Sequence, residues 1–213
     1  MRKIMIVDDH PMFREALSQR IGMEKEFEVC GEADNEQEAL QRLDELHPDL
    51  LLVDISLKSG NGIELVKQVR SRFPGVKQLV ISTHAESLYA ERALRAGADG
   101  YVNKQQPSED VITAIRSVLE GQRYISEEVT QRLVERALGE PFAEVDPVEM
   151  LSDRELEVFR LIGEGMTSSA IADRLGLSIH TIDTYREKIK HKIGVKNSVE
   201  LQREAVRWKM ENE

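Results

Sequence analysis

Pro48–Leu57 reads PDLLLVDISL. Its four consecutive apolar residues, Leu50–Val53, are followed directly by Asp54, and an unbroken apolar run of this kind suits a strand in a sheet covered on both faces. Lys3–Val7 (KIMIV) is a second strand candidate whose IMIV run has the same character and leads into Asp8 and Asp9. Further strand candidates are Phe27–Cys30, Gln78–Ser82 (QLVIS) and Gly100–Asn103. Between them, Met12–Ile21, Gln37–Leu46, Gly62–Phe73 and Leu88–Ala96 space apolar residues by three and four, and Glu109–Glu120 repeats that pattern after the last strand. Strands alternating with helices over residues 1–120 predict an α/β domain with a parallel sheet.

In an open parallel sheet, functional groups collect at the carboxyl ends of the strands. Asp8 and Asp9 follow the first strand, Asp54 the third; Ser82 and Thr83 end the fourth, and Lys104 the fifth. Three carboxylates on one edge repel one another unless a cation neutralises them, and hard oxygen donors that leave room for water and phosphate suit Mg²⁺, or Mn²⁺ in its place. An aspartate held against such an ion can attack a phosphoryl donor. A lysine and a hydroxyl at neighbouring strand ends would bind the transferred oxygens. Each residue alone has an ordinary reading: Asp54 as a turn, Lys104 as a solvated lysine, Ser82 as a hydrogen-bonded strand end. Their convergence is what points to a site.

The 213 residues carry 29 Lys and Arg against 39 Asp and Glu, for net −10. That argues against a molecule coated in nucleic acid as a whole, but regional charge is uneven. Residues 1–120 are net −6, 121–147 net −3 and 148–213 net −1, whereas 178–197 are net +3. No apolar run approaches the roughly 20 residues of a membrane span. MRKIMIVDDH reaches charged groups before a signal-peptide core could form, so a cytoplasmic protein without membrane attachment is expected. The single Cys30 excludes an internal disulfide and reads as a small apolar residue.

From 121 to 147 the periodicity weakens. Val129, Leu133 and Leu138 could line a short connecting helix, and Gly139, Pro141 and Pro147 then punctuate a linker. Residues 148–213 read as four helices. Ser152 and Glu155 form a capping-box pattern before the first, and Gly163 and Gly165 would end it. The second fits Thr167–Leu175, with a turn at Gly176–Leu177. The third starts at Ser178 as N-cap and runs to about Ile193, and the last spans Ser198–Lys209. Ala172, Gly176 and Ile182 have the order that a helix–turn–helix requires: a small residue at the crossing, a glycine in the turn and an apolar anchor on the second helix.

MIVDDHPMFREAL, PDLLLVDISL and AGADGYVNK resemble the receiver domain of two-component response regulators of the NarL/FixJ subfamily. The resemblance implies a flavodoxin-like (βα)5 fold in which Asp54 is the phosphoacceptor. Asp9 and Asp54, with the backbone carbonyl of Ser56, would hold Mg²⁺, and Asp8 would contribute directly or through water. Lys104 would pair with the phosphoryl group. The family hydroxyl falls on Ser82, with Thr83 next door as the residue it could be confused with. Tyr101 matches an aromatic whose rotamer follows phosphorylation in the family; otherwise it is a partly buried core tyrosine. Ser56 and His84 match positions that tune dephosphorylation, His84 being otherwise a surface histidine. Gln105 replaces the proline that follows the lysine in many relatives.

The block from Leu151 to Leu201 resembles the LuxR-type four-helix DNA-binding domain. That implies a recognition helix over Ser178–Ile193 in the major groove of double-stranded DNA. Arg186, Lys188, Lys190, Lys192 and Lys196 are the cationic candidates, with Arg186 and Lys190 as phosphate contacts, and Ser178, Thr181 and Thr184 as further contacts. Asp183 and Glu187, also among the expected DNA contacts, stand where basic base-reading residues are common; a carboxylate there can accept from cytosine N4 but is repelled by phosphate. The family's dimer face would fall on Val199, Leu201, Val206 and Trp208, with Trp208 leaning toward core packing.

The resulting expectation is a receiver over 1–120, a linker with a short helix over 121–147 and a LuxR-type domain over 148–213. A sensor histidine kinase would phosphorylate Asp54, favouring a homodimer that binds DNA and regulates transcription, with RNA polymerase as a further contact. The chain would not be an enzyme beyond its own phosphoryl transfer and autodephosphorylation. An aspartyl-phosphate phosphatase of the haloacid-dehalogenase type is the competing class, but it needs a second aspartate two positions after the nucleophile, where this chain has Ser56. A third reading is a DNA-binding protein whose receiver only dimerises.

Overall fold

A computed structural model describes residues 1–57, 60–84, 86–138 and 146–212. It divides into two compact units, Met1–Val134 and Glu135–Glu213.

In the first unit β1 (Arg2–Val7), β2 (Phe27–Ala33), β3 (Leu50–Val53), β4 (Lys77–Ser82) and β5 (Gly100–Asn103) form one parallel sheet of order β2-β1-β3-β4-β5. The connecting helices are α1 (Pro11–Gly22), α2 (Glu36–Leu46), α3 (Gly62–Arg72) and α4 (Glu86–Ala96), and α5 (Ser108–Leu119) follows β5. All four residues of β3 are buried, as its unbroken apolar run requires. Ile4, Ile6, Leu50, Leu52, Leu79 and Ile81 form one face of the sheet's core. Leu17 and Ile21 of α1 and Ile112 and Ile115 of α5 close over that face. β2 runs three residues beyond its expected end because a register shift between Ile4 and Met5 lets it pair along the whole of β1.

The strand order reverses between β1 and β3, since β2 lies on one side of β1 and the later strands on the other. The two strands that end in Asp8 and Asp54 are therefore adjacent, with Val7 beside Val53. A crevice outside such a reversal is where open α/β sheets bind ligands.

After α5 the chain turns back onto the sheet: Tyr124 bridges Gly100, and the Tyr101 amide donates to the Tyr124 carbonyl at 2.8 Å. This is why the first unit extends past residue 120 into helix α6 (Glu127–Leu138). The expected linker from Gly139 lies, as far as residue 145, outside the described residues.

The second unit opens with a 3-10 turn at Pro147–Met150, followed by α7 (Asp153–Gly163), α8 (Ser168–Leu175), α9 (Ile179–Ile193) and α10 (Ser198–Asn212). The capping box forms as read: Ser152 Oγ accepts from the Glu155 amide, and Glu155 accepts from the Ser152 amide. Gly176 adopts a left-handed conformation (φ 65°, ψ 33°) that ends α8 and lets α9 begin three residues after it, at Ile179. Phe159, Ala172, Ile182, Ile189 and Leu201 are buried at the centre of this unit.

Candidate functional site

Asp8 and Asp54 are buried at the carboxyl ends of β1 and β3, and Asp9 is half-buried beside them. Lys104, one residue past β5, reaches across the edge. Its ammonium lies 2.6 Å from Asp8 Oδ2 and 2.7 Å from Asp54 Oδ2, and 4.4 Å from the centre of the Phe13 ring. Burial pushes Asp54 up to a pKa of about 6; Lys104 draws it down and the neighbouring Asp8 raises it again.

Oxygens of Asp8, Asp9 and Asp54 and a nitrogen of His10 lie within 4.8 Å of one another, close enough to surround one cation. Asp9 Oδ1 is buried and makes no hydrogen bond, although His10 Nδ1 stands 2.8 Å away. A buried carboxylate oxygen without a donor, in a set dominated by hard oxygen ligands, fits a divalent ion such as Mg²⁺.

The structure separates the two candidate hydroxyls. Ser82 is fully buried at the end of β4, where its Oγ accepts from the His84 amide at 3.2 Å, whereas Thr83 is exposed. Tyr101 is almost entirely buried; its hydroxyl donates to the His84 carbonyl at 2.9 Å, and burial holds its ionisation far above the usual range. His84 is not a surface residue. It is buried, stacked on Tyr89 with ring centres 4.6 Å apart, and its Nε2 lies 2.8 Å from Ser56 Oγ. Ser56, Ser82, His84 and Tyr101 thus form one connected polar group beside Asp54. The peptide after Lys104 is trans, as is every other described one.

Several supporting residues escaped the sequence reading. His10 adjoins the aspartate pair and was legible as a neighbour, but its orientation was not. Arg14 donates to the Asp8 carbonyl and pairs with Glu32 at 3.3 Å, fixing the loop after β1 to the end of β2. Asn61 caps α3, its Oδ1 accepting from the Ile63 amide at 2.8 Å. Gly62 packs so closely beneath the acceptor loop that a Cβ there would sit 2.0 Å from the Asp54 carbonyl oxygen.

In the second unit, α8, the Gly176 turn and α9 form the helix–turn–helix, with Ser178 capping α9 through the Thr181 amide at 3.1 Å. Asp183, Thr184, Glu187 and Lys188 are exposed, Arg186 is half-buried, and Lys190 pairs with Glu187 at 2.8 Å. Lys196 is exposed beyond the helix. Lys192 does not stand with the other cations as an available phosphate contact. Its ammonium lies 2.6 Å from the Glu155 carboxylate and 3.2 Å from the Met150 carbonyl, so it ties α9 to the start of α7. The expected dimer stripe also splits: Leu201 and Trp208 belong to the core of this unit, Trp208 lying 5.8 Å from the Phe159 ring, while Val199 and Val206 are exposed.

Residues 4–116 match the response regulator receiver domain, and residues 149–205 match the bacterial regulatory proteins of the luxR family. The chain belongs to the response regulators. It combines a receiver with a LuxR-type DNA-binding domain. Response regulator GacA of Pseudomonas syringae pv. syringae (strain B728a) is 33% identical over 99% of this chain and 98% of its own length. Oxygen regulatory protein NreC of Staphylococcus aureus (strain JH9) is 33% identical over 98% of both chains. Among solved structures, RcsB of Salmonella typhimurium superposes with a TM-score of 0.73 at 26% identity, covering 97% of this response regulator and 98% of that chain. RcsB of Salmonella enterica serovar Typhimurium, solved bound to promoter P1flhDC in the presence of phosphomimetic BeF3⁻, gives a TM-score of 0.69 at 26% identity over 96% and 98% of the two chains. No described helix of the response regulator is long and apolar enough to cross a membrane.

Proposed function

We propose that this response regulator is a cytoplasmic, phosphorylation-gated transcription regulator in which Asp54 accepts a phosphoryl group from a sensor histidine kinase. The observation that carries this reading is the convergence of Asp8, Asp9, Asp54 and Lys104 at the strand-order reversal of a receiver domain. Asp8, Asp9 and Asp54, with the Ser56 carbonyl, would hold Mg²⁺ or Mn²⁺. When bound, that ion spreads the charge developing on the transferred oxygens. Asp54 supplies the attacking carboxylate oxygen, and the buried Ser82 hydroxyl, rather than exposed Thr83, donates to a phosphoryl oxygen. Lys104 lies within ion-pair distance of Asp54 and is able to follow the phosphoryl oxygens as charge moves onto them.

Because the Tyr101 hydroxyl and the Ser82 hydroxyl both engage the segment at His84, a change at Ser82 is passed to Tyr101, which makes it the switch residue. His84, oriented by Ser56 and Tyr89, controls the access of water to the phosphoryl group. An unchanged dephosphorylation rate in His84→Ala would remove that role. Residues 1–120 act as receiver, 121–147 as linker and 148–213 as the DNA-binding domain. α9 enters the major groove, with Arg186, Lys188, Lys190 and Lys196 supplying positive charge. The phosphorylated chain pairs through exposed Val199 and Val206 of α10, because two half-sites multiply the affinity of a module of modest charge. RNA polymerase is a further partner. The only chemistry the chain catalyses is its own phosphoryl transfer and autodephosphorylation.

The test is Mg²⁺-dependent labelling by acetyl phosphate in the wild type and in Asp54→Asn, with oligomeric state and DNA binding recorded before and after. Labelling lost in the variant, together with dimerisation and DNA selection gained on labelling, supports the reading. DNA binding without any labelling would favour a regulator whose receiver serves only to dimerise.

A further inference from the structure

The helix–turn–helix carries a carboxylate where a DNA face disfavours one. Asp183 is exposed, the fifth residue of α9, and among the described residues no Lys or Arg lies within ion-pair distance of it. Glu187, one turn later, by contrast has Lys190 within ion-pair distance, at 2.8 Å. Phosphates repel Asp183 at every sequence, so it lowers affinity without discrimination unless it also makes a contact that a cation cannot. Such a contact is acceptance from a base-edge donor.

Two donors face the major groove, cytosine N4 and adenine N6. The N7 acceptor beside adenine N6 repels a carboxylate, whereas cytosine presents no such neighbour. Placement agrees with this, because the N-terminal part of a recognition helix is the part that reaches base edges. Orientation agrees as well. Ser168 Oγ, on the first residue of α8, donates to Asp183 Oδ1 at 3.0 Å. That bond fixes the side chain before DNA arrives, which lowers the ordering cost of binding, and leaves Oδ2 to accept from a base.

We propose that Asp183 is a base-reading residue that selects cytosine at one position of each half-site, with Ser168 as its positioning residue. This rests on the reading that α9 lies in the major groove.

The experiment is selection from randomised duplexes by the full-length chain, with and without acetyl phosphate and Mg²⁺, for the wild type, Asp183→Asn, Asp183→Lys and Ser168→Ala. The wild type should enrich a motif containing a cytosine whose replacement lowers affinity about tenfold. Asp183→Asn can still accept from Ser168 and should move the preference at that one position to adenine, which offers N6 and N7 to an amide. Asp183→Lys should move it to guanine and strengthen binding to unrelated duplexes, with a steeper salt dependence. Ser168→Ala should keep cytosine but discriminate less sharply. Because Asp183 is exposed, the variants should fold, and unchanged circular dichroism checks that they do. One motif common to all four proteins would overturn the role of Asp183 while leaving α9 in the groove. If the wild type enriches no motif in either state, the groove reading of α9 fails and the proposal fails with it.

Discussion

Replacing the acceptor aspartate by its neutral isostere, Asp54→Asn, should stabilise the first unit near neutral pH. Burial, opposed by Lys104 and reinforced by Asp8, raises Asp54 from its ordinary 3.8 to about 6. The native state therefore binds a proton more tightly than the unfolded chain does. Between those two values stability falls as pH rises, because the unfolded chain has already released its proton. Below about pH 4 both states are protonated and nothing is lost; above about pH 6 the full cost is present. The rise corresponds to about 3 kcal/mol. Asparagine keeps the volume but leaves Lys104 with Asp8 alone, so the expected gain is about 1 to 3 kcal/mol at about pH 7.5, vanishing toward about pH 4. The assay is urea unfolding in chelator across that range. Far-UV circular dichroism follows the whole chain, while Trp208 reports the second unit separately. A gain that does not change with pH, or a loss at neutral pH, would refute the assignment of Asp54 as a buried, strained carboxylate. In the wild type, divalent-ion affinity should weaken as pH drops through about 6, as Asp54 protonates.

Gly62→Ala places a methyl carbon against the Asp54 carbonyl and the Ile55 backbone, atoms with no flexible end to give. A cost of about 1 to 3 kcal/mol and slower labelling by acetyl phosphate are expected, measured by urea melting and by initial labelling rate. Trp208→Ala empties the contact with Phe159 and should destabilise the second unit by about 3 to 5 kcal/mol, read from denaturant titration followed by circular dichroism. Lys192→Met leaves the Glu155 carboxylate facing its buried surroundings without its ammonium partner and should cost about 1 to 2 kcal/mol. Burial raises Glu155, but Lys192 and Ser152 outweigh it and hold its pKa below the usual carboxylate range. That contribution is present above the carboxylate range and is lost as pH falls through it, so the difference between Lys192→Met and wild type should shrink in acid, measured by melts at several pH values.

The sequence determined those features that depend on neighbours along the chain. Unbroken apolar runs at Ile4–Val7 and Leu50–Val53, with helical spacing between strands, required a sheet covered on both faces, and those two runs are buried accordingly. Ser152 with Glu155 dictated a capping box, and Gly176 a left-handed turn, because both effects act within one helical turn. The carboxylates and Lys104 were also legible, since strand ends can be counted. Tertiary structure decided what lies across the chain. The family spacing favoured Ser82 over its neighbour Thr83, and pairing with Asn103 of β5 buries Ser82 at the end of β4, while Thr83, one residue past the strand, is exposed. His84 was legible as a nearby imidazole, but stacking on Tyr89 and the bond to Ser56, 28 residues away, make it part of the site. Lys192 resembled its neighbouring cations in sequence, yet the packing of α9 on the start of α7 turns it toward Glu155. Trp208 already leaned toward the core in sequence, but Leu201 was indistinguishable from Val199 and Val206 as an apolar residue on one helix, and packing of α10 on α7 sends Leu201 and Trp208 inward. Periodicity and capping are local energies of the backbone, whereas the partner of a side chain is set by which surfaces the fold presses together.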